Sequence, residues 1–262
     1  MLCCRTLLFT IAAIGLFLAP GSWAQDKFEA ECDGQTQWRA FPKDGDIFSG
    51  NCRRWYLPQY EARIFCKNEP ERCAAAHVQY VVMVMDTDMI GPLPLAGPEH
   101  FFNTEAIPGK RVLVRGARYI PEWILMAAGV PHSQIYAALS STRGLDYVQK
   151  VLTSLKDSIV WVDDFDQAHE ALLNKSARFG MLRVSDLQKN NRNGALDMFD
   201  AGTLRETMRW VAQNPSSLRG QMSNKAEANV VLKGFGMDQK WYHHTTAHRN
   251  PLQEIWEKPS SK

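Results

Sequence analysis

An α/β fold is predicted by two observations between Phe101 and Leu187. The run RVLVRG reads as a strand that passes straight into a turn and an amphipathic segment, and SIVWVDD repeats the arrangement. Both strand ends then face one rim of a common sheet, which is where open α/β sheets place their ligands. A third observation, the continuous apolar run VQYVVMVM, fits a strand buried on both faces.

The chain begins with Arg5 in a short basic head, an apolar run from Leu7 to Pro20, and Ser22-Trp23-Ala24 as a small-x-small cleavage site. That pattern predicts a secretory signal peptide over residues 1–24 and export from the cytoplasm. No cysteine follows the apolar run closely, so an acylated lipoprotein is not expected, and no later run is long enough to span a bilayer.

Residues 25–88 read as a small first lobe ending in a crossing strand. Asp26 to Pro70 are rich in turn formers, with short strand-like runs at QTQWRAF and EARIFC and little helical periodicity. With Cys3 and Cys4 in the signal segment, Cys32, Cys52, Cys66 and Cys73 form an even set, which an oxidising compartment converts to two disulfides. Four cysteines allow three connectivities, and local pairing of Cys66 with Cys73 is one of them. No CxxC or Cys-His spacing suggests zinc, and the same even set argues against a Cys73–His77 catalytic dyad.

Residues 89–190 read as the α/β lobe. IGPLPLAGPEH is a Pro and Gly linker expected to hold neither a helix nor a central strand. In EWILMAAG, Trp123, Met126 and Ala127 share a helical face, closed by Gly129. Leu145, Val148, Leu152 and Leu155 give the next helix, and Asp166 to Asn174 a third, begun by the acidic cluster Asp163, Asp164 and Asp166. In residues 191–262, Gly202 to Trp210 and Gln239 to Trp256 are expected to be helical.

Net charge is +2, with Lys and Arg mixed among Asp and Glu, so nucleic acid is not an expected partner. Two turns carry candidate binding chemistry. In VRGARY, Gly116 lets backbone amides approach a ligand, and Arg115 and Arg118 suit a carboxylate or phosphate, with Tyr119 beside them. In WVDDFDQ, Trp161 offers an aromatic face and Asp163 and Asp164 offer carboxylates to an amine. The first turn favours an anion and the second a cation. A zwitterion satisfies both, and so does direct pairing of the arginines with the aspartates across an empty rim.

Three further groups carry weaker signals. His244 and His248 lie four apart in WYHHTTAHR, a metal-holding spacing without a HExxH motif or a third ligand nearby. Asp86 and Asp88 alternate in MDTD, where a strand-end turn competes with an acid-base or metal pair. No serine elbow, metal triad or paired-acid motif supports a hydrolase, so no enzyme activity, cofactor or metal is expected.

Phe101, Phe102, IPGKRVLVRGARY, AAGVPHSQIY, GLDYVQKVLTSLKDSIVWVDD and QAHEALLNKSARFGM together resemble family 1 extracellular solute-binding proteins of ABC importers, in the branch of the spermidine and putrescine receptors. RCAAAHVQYVVMVMDTD resembles the family's crossing strand and QKWYHHTTAHRNPLQEIWEKP its closing Trp-rich helix. The resemblance implies a periplasmic binding protein type II-like fold: one near-complete lobe, a shortened first lobe held by disulfides, and a C-terminal segment packing back on that lobe. It also implies a Cys52–Cys73 bridge, leaving Cys32 with Cys66. Where the family carries a Trp-Asn-Gly or Asn-Gly-Arg segment along its cleft, this chain reads RVSDLQKNNRNGALDMFDAG. The implied activity is reversible capture of a small polar solute, such as a polyamine or amino acid, for delivery to an ABC permease. The alternative is a remodelled interaction protein whose former cleft meets another periplasmic protein or a second copy as a homodimer.

Overall fold

The computed structural model describes residues 27–42, 47–48, 50–90, 97–116, 118–190, 194–199, 202–218 and 233–242. The expected signal segment and the His244–His248 pair lie outside them. In chain order the elements are β1 (Lys27–Cys32), β2 (Gln35–Ala40), β3 (Cys52–Pro58), α1 (Gln59–Asn68), β4 (His77–Asp86), α2 (Thr87–Ile90), α3 (Pro98–Phe102), β5 (Arg111–Val114) and α4 (Ile120–Ala127). They continue with α5 (Ile135–Leu139), α6 (Thr142–Ser154), β6 (Ile159–Val162), α7 (Phe165–Leu173), β7 (Phe179–Arg183), α8 (Val184–Asn190), β8 (Leu196–Met198), β9 (Leu204–Ala212) and β10 (Phe235–Gly236).

One sheet runs through both lobes in the order β2-β1-β3-β9-β4-β7-β5-β6. β5 is parallel to β6 and to β7, as strand–helix–strand units require, whereas β4 and β9 are antiparallel to each other. The register pairs Val114 with Val162, so the turns that follow β5 and β6 lie side by side. The Arg115 amide extends the pairing by donating to the Val162 carbonyl at 2.8 Å.

β4 is covered on both faces. Val81, Met83 and Met85 join the larger core with Phe101, Trp123, Ile124 and Phe179, while Val82 and Val84 join Val112, Ala168, Leu172 and Leu182 on the other side. Trp123 is fully buried and donates its indole N–H to the Gly202 carbonyl. The N-terminal lobe has a separate, smaller core of Phe28, Ala30, Ile47, Trp55, Leu57, Ala62 and Val211.

Four expectations are corrected. EARIFC lies within α1 rather than a strand, because Ala62, Phe65 and Cys66 recur at helical spacing and pack with the N-terminal core. Residues 204–212 form strand β9 rather than a helix: burial alternates at Leu204, Glu206 and Met208, and β3 and β4 flank the strand on its two edges. The end of the Pro/Gly linker is helical, since Pro98 occupies the first position of α3, where its missing N–H is harmless. The disulfides are Cys32–Cys52 and Cys66–Cys73 rather than Cys52–Cys73 and Cys32–Cys66. Cys32 and Cys52 face each other across the β1–β3 pair, and one short segment joins Cys66 on α1 to Cys73.

Arg111 at the start of β5 is buried and donates to the carbonyls of Phe101, Asn103, Ile107 and Gly109, tying the 101–109 segment to the sheet. Burial pushes its guanidinium down to about 10. Asp86 ends β4 and accepts from the Asp88 and Met89 amides at 3.0 and 3.2 Å, which is a strand-end turn.

Candidate functional site

The β1 residues Phe28, Ala30 and Cys32 point into the N-terminal core, which turns Lys27 and Glu29 toward the opposite sheet face. Register carries that face across to Trp38 on β2, Tyr56 on β3, Gln79 on β4 and Glu206 and Met208 on β9. The rim of the α/β lobe stands over it. Together they enclose a cleft of about 570 Å³ including its solvent-open mouth, with Lys27, Glu29, Trp38, Tyr56 and Gln79 on one side and Arg115, Gly116, Arg118, Tyr119, Asp163 and Phe165 on the other.

Five of the seven expected ligand-binding residues, Arg115, Gly116, Arg118, Tyr119 and Asp163, therefore line one cleft. Trp161 and Asp164 are not among its lining residues. Trp161 packs against the larger core, and Asp164 accepts from the Gln167 amide at 2.8 Å as the N-cap of α7.

The turn after β5 has an unusual backbone. Gly116 has φ 150°, which a side chain would oppose. Tyr119 has φ 74° and ψ −50°, and the Ile120 amide closes a three-residue turn onto the Arg118 carbonyl at 2.9 Å. This is the γ-turn of strained hand, which costs a non-glycine residue on the order of 1–3 kcal/mol. It directs Arg118 and Tyr119 toward the same carboxylate: Arg118 pairs with Glu206 Oε1, and the Tyr119 hydroxyl donates to Glu206 Oε2 at 2.9 Å. The second terminal nitrogen of Arg118 meets Glu61 of α1, and the guanidinium lies over the Tyr242 ring, 4.6 Å from its centroid.

At the mouth the charges are more open. Asp163 sits between Lys27 at 3.3 Å and Arg115 at 3.7 Å, with Arg115 and Asp163 each about half exposed. Farther along, Arg183 is buried in a fork with Asp186 at 2.6 and 3.0 Å and reaches Glu29 at 2.8 Å. Its guanidinium stacks over Trp38 and Phe165. Burial alone would lower its pKa, but the Asp186 and Glu29 carboxylates outweigh that and raise it.

Behind the rim, Glu122 of α4 is wholly buried and accepts from the hydroxyls of Tyr136, at 3.0 Å, and Tyr242. Burial pushes its carboxyl up to about 7 and also pushes both phenols up. Glu29, Glu61, Trp38, Tyr56 and Glu206 were not singled out by sequence reasoning. The available signal was a charged residue at every second position of β1, Lys27, Glu29 and Glu31, while Glu206 gains a face only once residues 204–212 are read as a strand.

No protein-family model matches the chain. A γ-aminobutyric acid-binding protein of Pseudomonas aeruginosa is 33% identical over 87 residues, a match that spans 33% of this chain and 24% of that protein's length. Among solved structures, the periplasmic binding protein MotA of A. tumefaciens B6, in complex with glucopine, superposes with a TM-score of 0.58 at 14% identity, covering 71% of each chain. A substrate-binding protein of an ABC transporter from Bradyrhizobium japonicum gives 0.57 at 14% identity, covering 79% of this chain and 82% of that one. A GABA receptor gives 0.56 at 16% identity, covering 71% and 68%. These likenesses establish a periplasmic binding protein type II-like α/β fold for this chain.

Proposed function

We propose that the protein is a periplasmic solute-binding protein that reversibly captures a small zwitterionic or amine-bearing solute for ABC-type uptake, without covalent chemistry. The observation that carries this reading is the charge arrangement at the cleft mouth. Asp163 lies between two cations, Lys27 and Arg115, beside the aromatic walls of Trp38, Tyr119 and Phe165. A solute carboxylate would replace Asp163 on Arg115 and Lys27, and its ammonium would take over Asp163. The exchange is inexpensive, because exposed pairs of this kind are worth about 0.2–1 kcal/mol. γ-Aminobutyrate, which the P. aeruginosa relative is named for, has the required two charges; a polyamine would use the Asp163 side alone. Export by the signal segment and delivery to an ABC permease complete the reading, with the small N-terminal lobe as a shortened first lobe.

An interaction protein would call for a contiguous exposed apolar patch. Among the described residues the large exposed apolar side chains are Val78, Tyr147 and Leu173, on three separate elements. Thermal denaturation with γ-aminobutyrate, α-amino acids, putrescine, spermidine and glucopine tests the proposal. A bound solute at 100 times its Kd raises stability by about 2.7 kcal/mol, and Arg115→Ala should abolish the shift for a zwitterion but not for a polyamine. The absence of any shift across the panel at millimolar solute would overturn the reading.

A further inference from the structure

We propose that Arg118 is a built-in latch that joins the two lobes across the cleft through the protein's own carboxylates. Arg118 belongs to the turn leading into α4 of the α/β lobe, and both of its terminal nitrogens are engaged by carboxylates of distant elements. One meets Glu206 on β9, the strand between β3 and β4, and the other meets Glu61 in the first turn of α1 of the N-terminal lobe. The side chains of Arg118 and Glu206 are 6% and 1% exposed, so this bridge is shielded from the salt screening that weakens the pairs at the mouth. The Tyr242 ring covers one face of the guanidinium.

Three features of the surroundings support a latch over an incidental ion pair. The strained turn at Tyr119 persists because Glu206 holds both Arg118 and Tyr119; released, the turn has a more relaxed conformation available. The apolar cores of the two lobes are separate clusters, and besides Trp38, which packs on Phe165, the ties across the cleft are polar: Arg118 with Glu61, Arg183 with Glu29, the Trp38 indole with Asp166 at 3.2 Å, and Lys27 with Asp163. Residues 238–242 strap the same elements together, since the Gln239 side chain accepts from the Tyr60 amide of α1 while Trp241 donates to Ser140 at the end of α5. The cleft thus has its own internal cation. A cationic solute that reached Glu206 would have to displace Arg118, whereas one bound at the mouth would leave the latch intact.

The test uses the mature chain without added solute, so it succeeds or fails independently of solute capture. Ketone-bearing residues introduced at Lys67 and Tyr147 carry nitroxides on the two lobes, and pulsed electron paramagnetic resonance reads the distance between them. The expected wild-type result is one narrow distance, insensitive to moderate salt. Glu61→Gln should lengthen it by several ångströms, and Arg118→Lys, which retains the charge but loses the fork, should broaden it while circular dichroism stays native. A broad or long distribution in the wild type would overturn the latch. So would an unchanged narrow distance in either folded variant; if Glu61→Gln does not fold, Arg118→Lys alone decides.

Discussion

The two lobes reach a stable packing by different means. The α/β lobe covers β4, β5 and β7 from both sides, and its core contains fully buried Phe101, Trp123 and Phe179. The N-terminal lobe has three strands and one helix over a single small apolar cluster, and it adds two disulfides and a seam to β9. A layer closed on two faces gains enough from apolar burial alone, whereas a one-sided layer of this size gains from cross-links that restrict its unfolded chain. The cleft forms where these two constructions meet, so its walls come from elements with unequal local stability.

The comparison is tested most strongly by Trp123→Ala in the larger core. It removes a fully buried indole and its hydrogen bond to Gly202, and a loss of about 3–5 kcal/mol in chemical denaturation is expected. A loss below about 1 kcal/mol would show that this core is not the main source of stability.

Glu122 gives the next effect. Its folded-state pKa of about 7 exceeds the ordinary 4.5, because burial disfavours the charge more strongly than Tyr242, Tyr136 and Arg118 favour it. The folded protein therefore holds this proton more tightly than the unfolded chain. Its stabilising contribution is complete below about pH 4.5, declines as pH rises, and is lost above about pH 7, a span of about 3 kcal/mol. Glu122→Gln should flatten this part of the stability–pH curve; an unchanged slope between pH 5 and 8 would count against the shifted carboxyl.

The smallest effect separates the lobes most cleanly. Replacing Cys66 and Cys73 by serine opens a loop of sequence separation 7 and should cost about 2 kcal/mol. Hydrogen exchange should rise in α1 and β3 while β5 and β6 keep their protection. Equal loss of protection in both lobes would mean that they unfold as one unit.

Much of the α/β lobe was legible because its signals are local. RVLVRG and SIVWVDD are strands β5 and β6, the helices near Trp123, Leu145 and Asp166 occur as α4, α6 and α7, and VQYVVMVM is the doubly covered β4. The same locality exposed half of the cleft, from Arg115 to Tyr119 and at Asp163. The opposite wall was not legible, since Glu29, Trp38 and Tyr56 reach it through register across β1, β2 and β3, and the carboxylates that hold Arg118 come from α1 and β9.

Residue pattern alone determined an α/β chain with an even cysteine set and two charged turns on one rim. Tertiary structure decided which cysteines pair, that residues 204–212 are a strand, and that Arg118 is engaged by carboxylates while Arg115 stays at the mouth. The physical reason is distance along the chain: side-chain periodicity and turn chemistry act over a few residues. The partner of a cysteine or an arginine is set by which elements become neighbours in the fold, here over separations such as those between Arg118 and Glu206 and between Arg183 and Glu29.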